Sequence, residues 1–219
     1  MTPDSRRLLL ATHIIVSVGW IGAILAYLAL VVNAMVVDSE QLLRASWFAL
    51  ELIGWYVIVP LALAALITGI AIAFGTRWGL IRHYWVAASL VLTAISTAVL
   101  LKHMGTVTYY AGIAATGSAR IDDVLRSALR GELLHAGIGC VILLGIATLN
   151  VYKPRGLTAY GRSRAAVTGV TPARSGSIEL SPSVPATSPR WMRVVGYHAA
   201  ALLILLAILH AFGGMRLHG

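Results

Sequence analysis

The sequence predicts an all-α, polytopic membrane protein: a four-helix transmembrane bundle followed by a fifth, C-terminal transmembrane helix. Three observations predict it. Five stretches, Leu8–Val37, Leu52–Thr76, Tyr84–Leu101, Leu133–Tyr152 and Val194–Met215, contain no Asp, Glu, Lys or Arg. Each is close to or above the roughly 20 residues that a helix needs to cross the hydrocarbon layer. Only 11% of the chain is charged and 58% is hydrophobic, whereas a soluble domain carries about a quarter charged residues. Finally, the alternation of a membrane β-strand is absent, which leaves helices, whose backbone groups are satisfied within their own segment.

Taken in order, the first span follows Arg6 and Arg7. It is longer than a signal-peptide core, lacks a small-x-small cleavage site and contains His13, so it reads as a retained helix. Pro60 in the second span is expected to kink it. After the third span, the uncharged segment Gly105–Ala119 reads as an outer loop, with Tyr109 and Tyr110 at the interface. Ile121, Val124, Leu125, Ala128 and Leu129 then recur at helical spacing, predicting an amphipathic outer helix that runs into the fourth span. Cys140, the single cysteine, reads as a small buried hydrophobe. Glycine and alanine in the first span (Gly19, Gly22) and fourth span (Gly137, Gly139, Gly145) suit close helix packing.

The expected organisation is therefore a core over residues 1–153, with spans at about 8–37, 52–76, 84–104 and 130–152. A Gly-, Ser-, Thr-, Pro- and Arg-rich linker over 154–190, of disordered composition, leads to the fifth helix in 191–219. With the N-terminus inside, the inner segments hold eleven Arg and Lys against two acidic residues, and the outer segments six against six. The positive-inside rule thus predicts a bacterial inner (plasma) membrane protein with a cytoplasmic N-terminus and an outer C-terminus. The net charge of +9 is a juxtamembrane bias whose partner is the lipid bilayer, not nucleic acid.

Ionisable groups within spans are expensive and mark functional sites. Here they form two layers. His13, His83 and His198 lie towards the cytoplasmic side; Glu51, Lys102, His103, Glu132, His135 and His210 lie towards the outer side. His13, Ser17, Trp20, Ile24 and Tyr27 form one stripe, and Ser89, Thr93, Ser96, Leu100 and His103 another, both expected to face the bundle interior. Imidazoles on facing helices can ligate haem iron, and His13 with His198 or His83 is the natural inner pair. His103, His135 and His210, with Met104 nearby, are ligands that copper accepts. Glu132-x-x-His135 has the spacing that projects both side chains to one face of a helix.

His13-Ile-Ile-Val-Ser-Val-Gly-Trp20-Ile-Gly22 has the form H-x6-W-x-G, and Gly75-Thr76-Arg77-Trp78-Gly79 follows at the second-to-third helix connection. Together these resemble the CopD-like superfamily, specifically an uncharacterised integral-membrane family (a domain of unknown function) within it. That superfamily also holds the copper-resistance D proteins and the membrane-type protoporphyrinogen oxidase. The resemblance covers roughly Leu8 to Tyr152 and implies a four-helix membrane core. It implies that His13 corresponds to a haem-ligand candidate, with Trp20 of the same motif in the cofactor set. Related proteins carry a lysine early in the third helix, where this chain has Ser89.

Three functions are expected in this order. The first is a membrane protein binding a redox cofactor, b-type haem, through His13 and His198 or His83. The second is a copper-handling protein using His103, His135, His210 and Met104. The third is a cofactor-free scaffold or accessory subunit with a membrane-protein partner, whose polar stripes only pack helices.

Overall fold

The computed structural model describes residues 2–75, 84–116 and 119–153, all of them helical or in short connections. The linker and fifth helix expected over 154–219 lie outside the described residues. Helix α1 (Pro3–Val36) starts where the Thr2 hydroxyl accepts the Ser5 N–H at 3.3 Å. Pro3 fills the first turn, where its missing N–H costs nothing, and Asp4 meets the positive end of the helix dipole. Ser39 caps α2 (Glu40–Ile53) in the same way, accepting from Leu42 N–H. Between them, Arg126 donates Nη1 to Val37 O (2.9 Å) and Nη2 to Asp38 O (3.4 Å). A cation is thereby placed on carbonyls at the negative end of α1.

A π-helical turn over Gly54–Ile58 joins α2 to α3 (Val59–Gly75) without a break in the helical path. Val59 N–H reaches back to Gly54 O, and the widened turn sits immediately before Pro60. Proline has no N–H to give and its ring crowds the carbonyl four residues back, so a locally wide turn relieves it. Met104 occupies the space that a Cβ on Gly54 would need.

Helix α4 (Tyr84–Ala115) and α5 (Ala119–Tyr152) complete the described chain. The loop expected over Gly105–Ala119 is instead helix as far as Ala115. Met104, Val107, Ala111 and Ala114 recur at spacings of three and four and are all buried, so packing overrides the weak helix propensity of Gly105, Thr106 and Thr108. The amphipathic start of the fourth span is present as expected, with Leu125 and Leu129 buried. The second span starts earlier than expected, since α2 carries it back to Glu40.

The four long helices alternate in direction and close a ring in the order α1, α3, α4, α5, with α2 continuing the α3 position at one end. All four are long and apolar enough to cross a membrane. Exposed Tyr84 and Tyr152 lie at one level; exposed Trp55 and Tyr56 lie at another. Twenty residues separate Tyr84 from Met104 on α4 and Glu132 from Tyr152 on α5. At 1.5 Å per residue these are about 30 Å each, the thickness of a hydrocarbon layer flanked by aromatic residues.

Beyond that layer α1, α2, α4 and α5 continue as a distal cap. Its interior is Val31, Ala34, Leu43, Trp47, Leu50, Val107, Leu125 and Leu129, most of them wholly buried. Trp47 packs against Tyr110 with ring centroids 5.0 Å apart. Large side chains within the layer, such as Ile67 and Val91, are exposed, as suits a surface solvated by lipid. Of the small residues expected at helix contacts, Gly19 does face a neighbour: a Cβ there would stand 3.5 Å from Leu61. Gly22, Gly139 and Gly145 face open space.

Candidate functional site

At the junction of the layer and the cap, α1, α4 and α5 bring four polar side chains together. Glu132 of α5 is only 2% exposed. Its Oε2 accepts the Tyr27 O–H from α1 at 2.7 Å and stands 3.0 Å from His103 Nε2 of α4. An ionised carboxylate only accepts, so His103 donates to it from Nε2. His135, one turn along α5 from Glu132, stacks on His103 with ring centroids 3.6 Å apart and planes inclined by 13°. Glu132 Oε1 takes no hydrogen bond among the described residues.

Below this centre lies a cavity of about 180 Å³. Trp20, Ile24 and Tyr27 of α1 form one wall, Ile95, Ser96, Val99 and Leu100 of α4 a second, and Ala136, Ile138, Gly139 and Ile142 of α5 a third. The lining is apolar except at its distal end, where His103, Glu132 and His135 meet. Both stripes predicted from sequence contribute: Trp20, Ile24 and Tyr27 from one, Ser96, Leu100 and His103 from the other. Trp20 Nε1 is buried and has no acceptor.

A second polar contact lies nearer the N-terminus. His13 Nδ1 is 2.8 Å from Thr68 Oγ1, and Thr68 donates its own hydroxyl to Ala64 O at 2.6 Å. With that proton committed, the Thr68 oxygen accepts from His13 Nδ1–H, and Nε2 is left as the nitrogen with a free lone pair. Gly69 makes room for the ring, since a Cβ there would stand 3.3 Å from His13 Cε1.

The sequence-predicted residues thus part company. His103 and His135 come together; His13 bonds to α3; Trp20, seven residues along α1, joins the distal cavity instead. Met104 packs against Gly54 in the core. His83, His198 and His210 lie outside the described residues. The stacked rings of His103 and His135 lie in nearly parallel planes, so their in-plane lone pairs do not converge on one copper ion as they stand. Among the described residues, no group of three or more His, Cys, Asp or Glu has the arrangement to hold a metal ion. No ion pair joins Glu51 to Lys102 among those residues either. Tyr27 and Glu132 are the members that sequence alone did not single out as ligands. Their signals were present: Tyr27 shares the stripe of His13 and Trp20, and Glu132 precedes His135 by three residues.

A multi-pass helical membrane protein with a carboxylate–imidazole–phenol cluster at one end of an apolar cavity is the class that fold and site define. No protein-family model, curated protein or solved structure matches this chain.

Proposed function

We propose that this chain is a multi-pass protein of a bacterial plasma membrane, with its N-terminus in the cytoplasm and its cap outside, in which Tyr27, Glu132, His103 and His135 form a proton-exchanging site for a ligand drawn from the bilayer. The observation that carries this reading is Glu132: a carboxylate held almost out of solvent, with two partners on one oxygen and none on the other. Buried ionisable groups in membrane helices mark proton and substrate routes. Across the 3.0 Å contact between Glu132 and His103, a proton can rest on either group, so the centre can take one from a ligand hydroxyl or return it. The charge bias between connecting segments supports the orientation, and the H-x6-W-x-G motif supports kinship with the CopD-like superfamily.

Infrared difference spectroscopy of the protein in lipid nanodiscs tests the site. Adding a bacterial total-lipid extract is expected to change a carboxyl C=O band that Glu132→Gln abolishes. If wild-type protein shows no such response, the cluster only packs helices, and the scaffold reading with a membrane-protein partner takes its place.

A second reading rests on His13. A histidine that ligates a metal usually donates its other ring N–H to a fixed acceptor, and the Thr68–Ala64 chain supplies that arrangement. His13 therefore fits one axial ligand of b-type haem, which would supply one-electron transfer when bound; His83 and His198 are the candidates for the second. Protein made in haem-supplemented cells is expected to give a near-stoichiometric b-type reduced-minus-oxidised spectrum, lost in His13→Ala and weakened in Thr68→Val. A colourless wild-type protein removes this reading.

A further inference from the structure

We infer that the cavity beneath Glu132 binds the single-ring head of a quinone–quinol couple, entering sideways from the bilayer between α4 and α5; this rests on the ligand site proposed above. The position of the mouth comes first. Ile95, Val99 and Ile138 line the cavity yet are 55%, 48% and 60% exposed. They lie on the stretches of α4 and α5 between the two aromatic levels, so the opening between them faces acyl chains, not water. A ligand arriving there is lipid-soluble.

Size is the second constraint. A dry cavity of about 150 Å³ accepts a benzene ring, and sites that enclose a whole drug-sized molecule run to roughly 300–1,000 Å³. A cavity of about 180 Å³ takes one substituted six-membered ring and leaves a long tail in the membrane.

The polar groups at the cavity set the chemistry. Trp20 Nε1–H is a buried donor without an acceptor, and Glu132 Oε1 is an acceptor without a donor. Trp47 Nε1 is also unpartnered, but it lies in the cap, away from the cavity. The occupant must therefore both accept and donate hydrogen bonds. A fatty acid brings a second carboxylate beside Glu132, which like-charge repulsion disfavours. An acyl chain satisfies neither group. A quinol satisfies both, donating one hydroxyl to ionised Glu132 and offering oxygen to Trp20. The quinone form accepts from protonated Glu132 instead, so either member of the couple is matched by moving one proton, with no electron transfer required for binding.

Titrating the full-length protein in nanodiscs with a decyl-tailed benzoquinone, followed by tryptophan fluorescence, tests this. Saturable quenching is expected, with smaller amplitude in Trp20→Phe. Gly139→Leu is the sharper probe. A Cβ at Gly139 meets nothing within 4 Å, so the new side chain fills the cavity without disturbing its walls and is expected to weaken binding at least about tenfold, some 1.4 kcal/mol. Absence of saturable quenching, or quenching unchanged by Gly139→Leu, overturns the quinone assignment. Equal affinity for a two-ring naphthoquinone overturns the single-ring assignment. If the Glu132 band responds to the lipid extract while benzoquinone does not bind, the occupant is a different amphiphile and the ligand site stands. If neither responds, both readings fall.

Discussion

Replacing Glu132 by Ala is expected to destabilise the protein by roughly 2–4 kcal/mol, through the donors it strands and not through the volume it removes. The Tyr27 O–H and the His103 N–H both end on Glu132 Oε2. A buried donor left without a partner costs about 1–3 kcal/mol. Tyr27→Phe removes one donor and leaves Glu132 bonded to His103, so its expected cost is about 1 kcal/mol. Glu132→Gln keeps an acceptor oxygen and should fall between the two. Thermal unfolding in one detergent, followed by helical circular dichroism, orders these variants. A Glu132→Ala protein that melts with wild type would mean that water reaches the centre and satisfies both donors.

Trp47→Ala should have the largest effect in the described chain, about 3–5 kcal/mol. Trp47 is 0% exposed in the cap, and its tilted contact with Tyr110 contributes about 0.5–1.5 kcal/mol beyond area burial. The comparison variant is Ile67→Ala, on an exposed apolar surface of α3 within the layer, expected to change stability by under about 0.5 kcal/mol. The contrast tests where water is. In the cap the hydrophobic effect drives burial; between lipid-solvated helices it does not, and association relies on packing and hydrogen bonds. Equal, small losses at both positions would place the cap within the hydrocarbon.

That difference in solvent also explains how well each element was read from sequence. Runs of apolar residues mark what lipid must surround, so four spans followed from composition alone. Outside the layer, helices are amphipathic and carry charge. Asp38, Glu40, Arg44 and Glu51 interrupt the apolar pattern, and α2 was missed even though Leu43, Trp47 and Leu50 recur at helical spacing. The same holds for Gly105–Ala115, where glycine and threonine resemble a loop but Met104, Val107, Ala111 and Ala114 form a packed stripe. Pro60 signalled a disturbance; only the fold shows it as a π-turn beside Gly54 and Met104.

For the candidate site, the residue types and the faces they occupy were readable, because helical periodicity is a local property. Sequence by itself thus determined the helical membrane class, the inward-facing stripes and the layering of histidines. The tertiary structure alone decided that His103 and His135 stack, that Glu132 is shared by Tyr27 and His103, and that Trp20 belongs to the distal cavity while His13 bonds to Thr68. Transfer into lipid is a property of each segment alone, whereas a hydrogen bond between Tyr27 and Glu132 spans 105 positions of the chain. It exists only once the ring of helices has closed and brought α1 and α5 side by side.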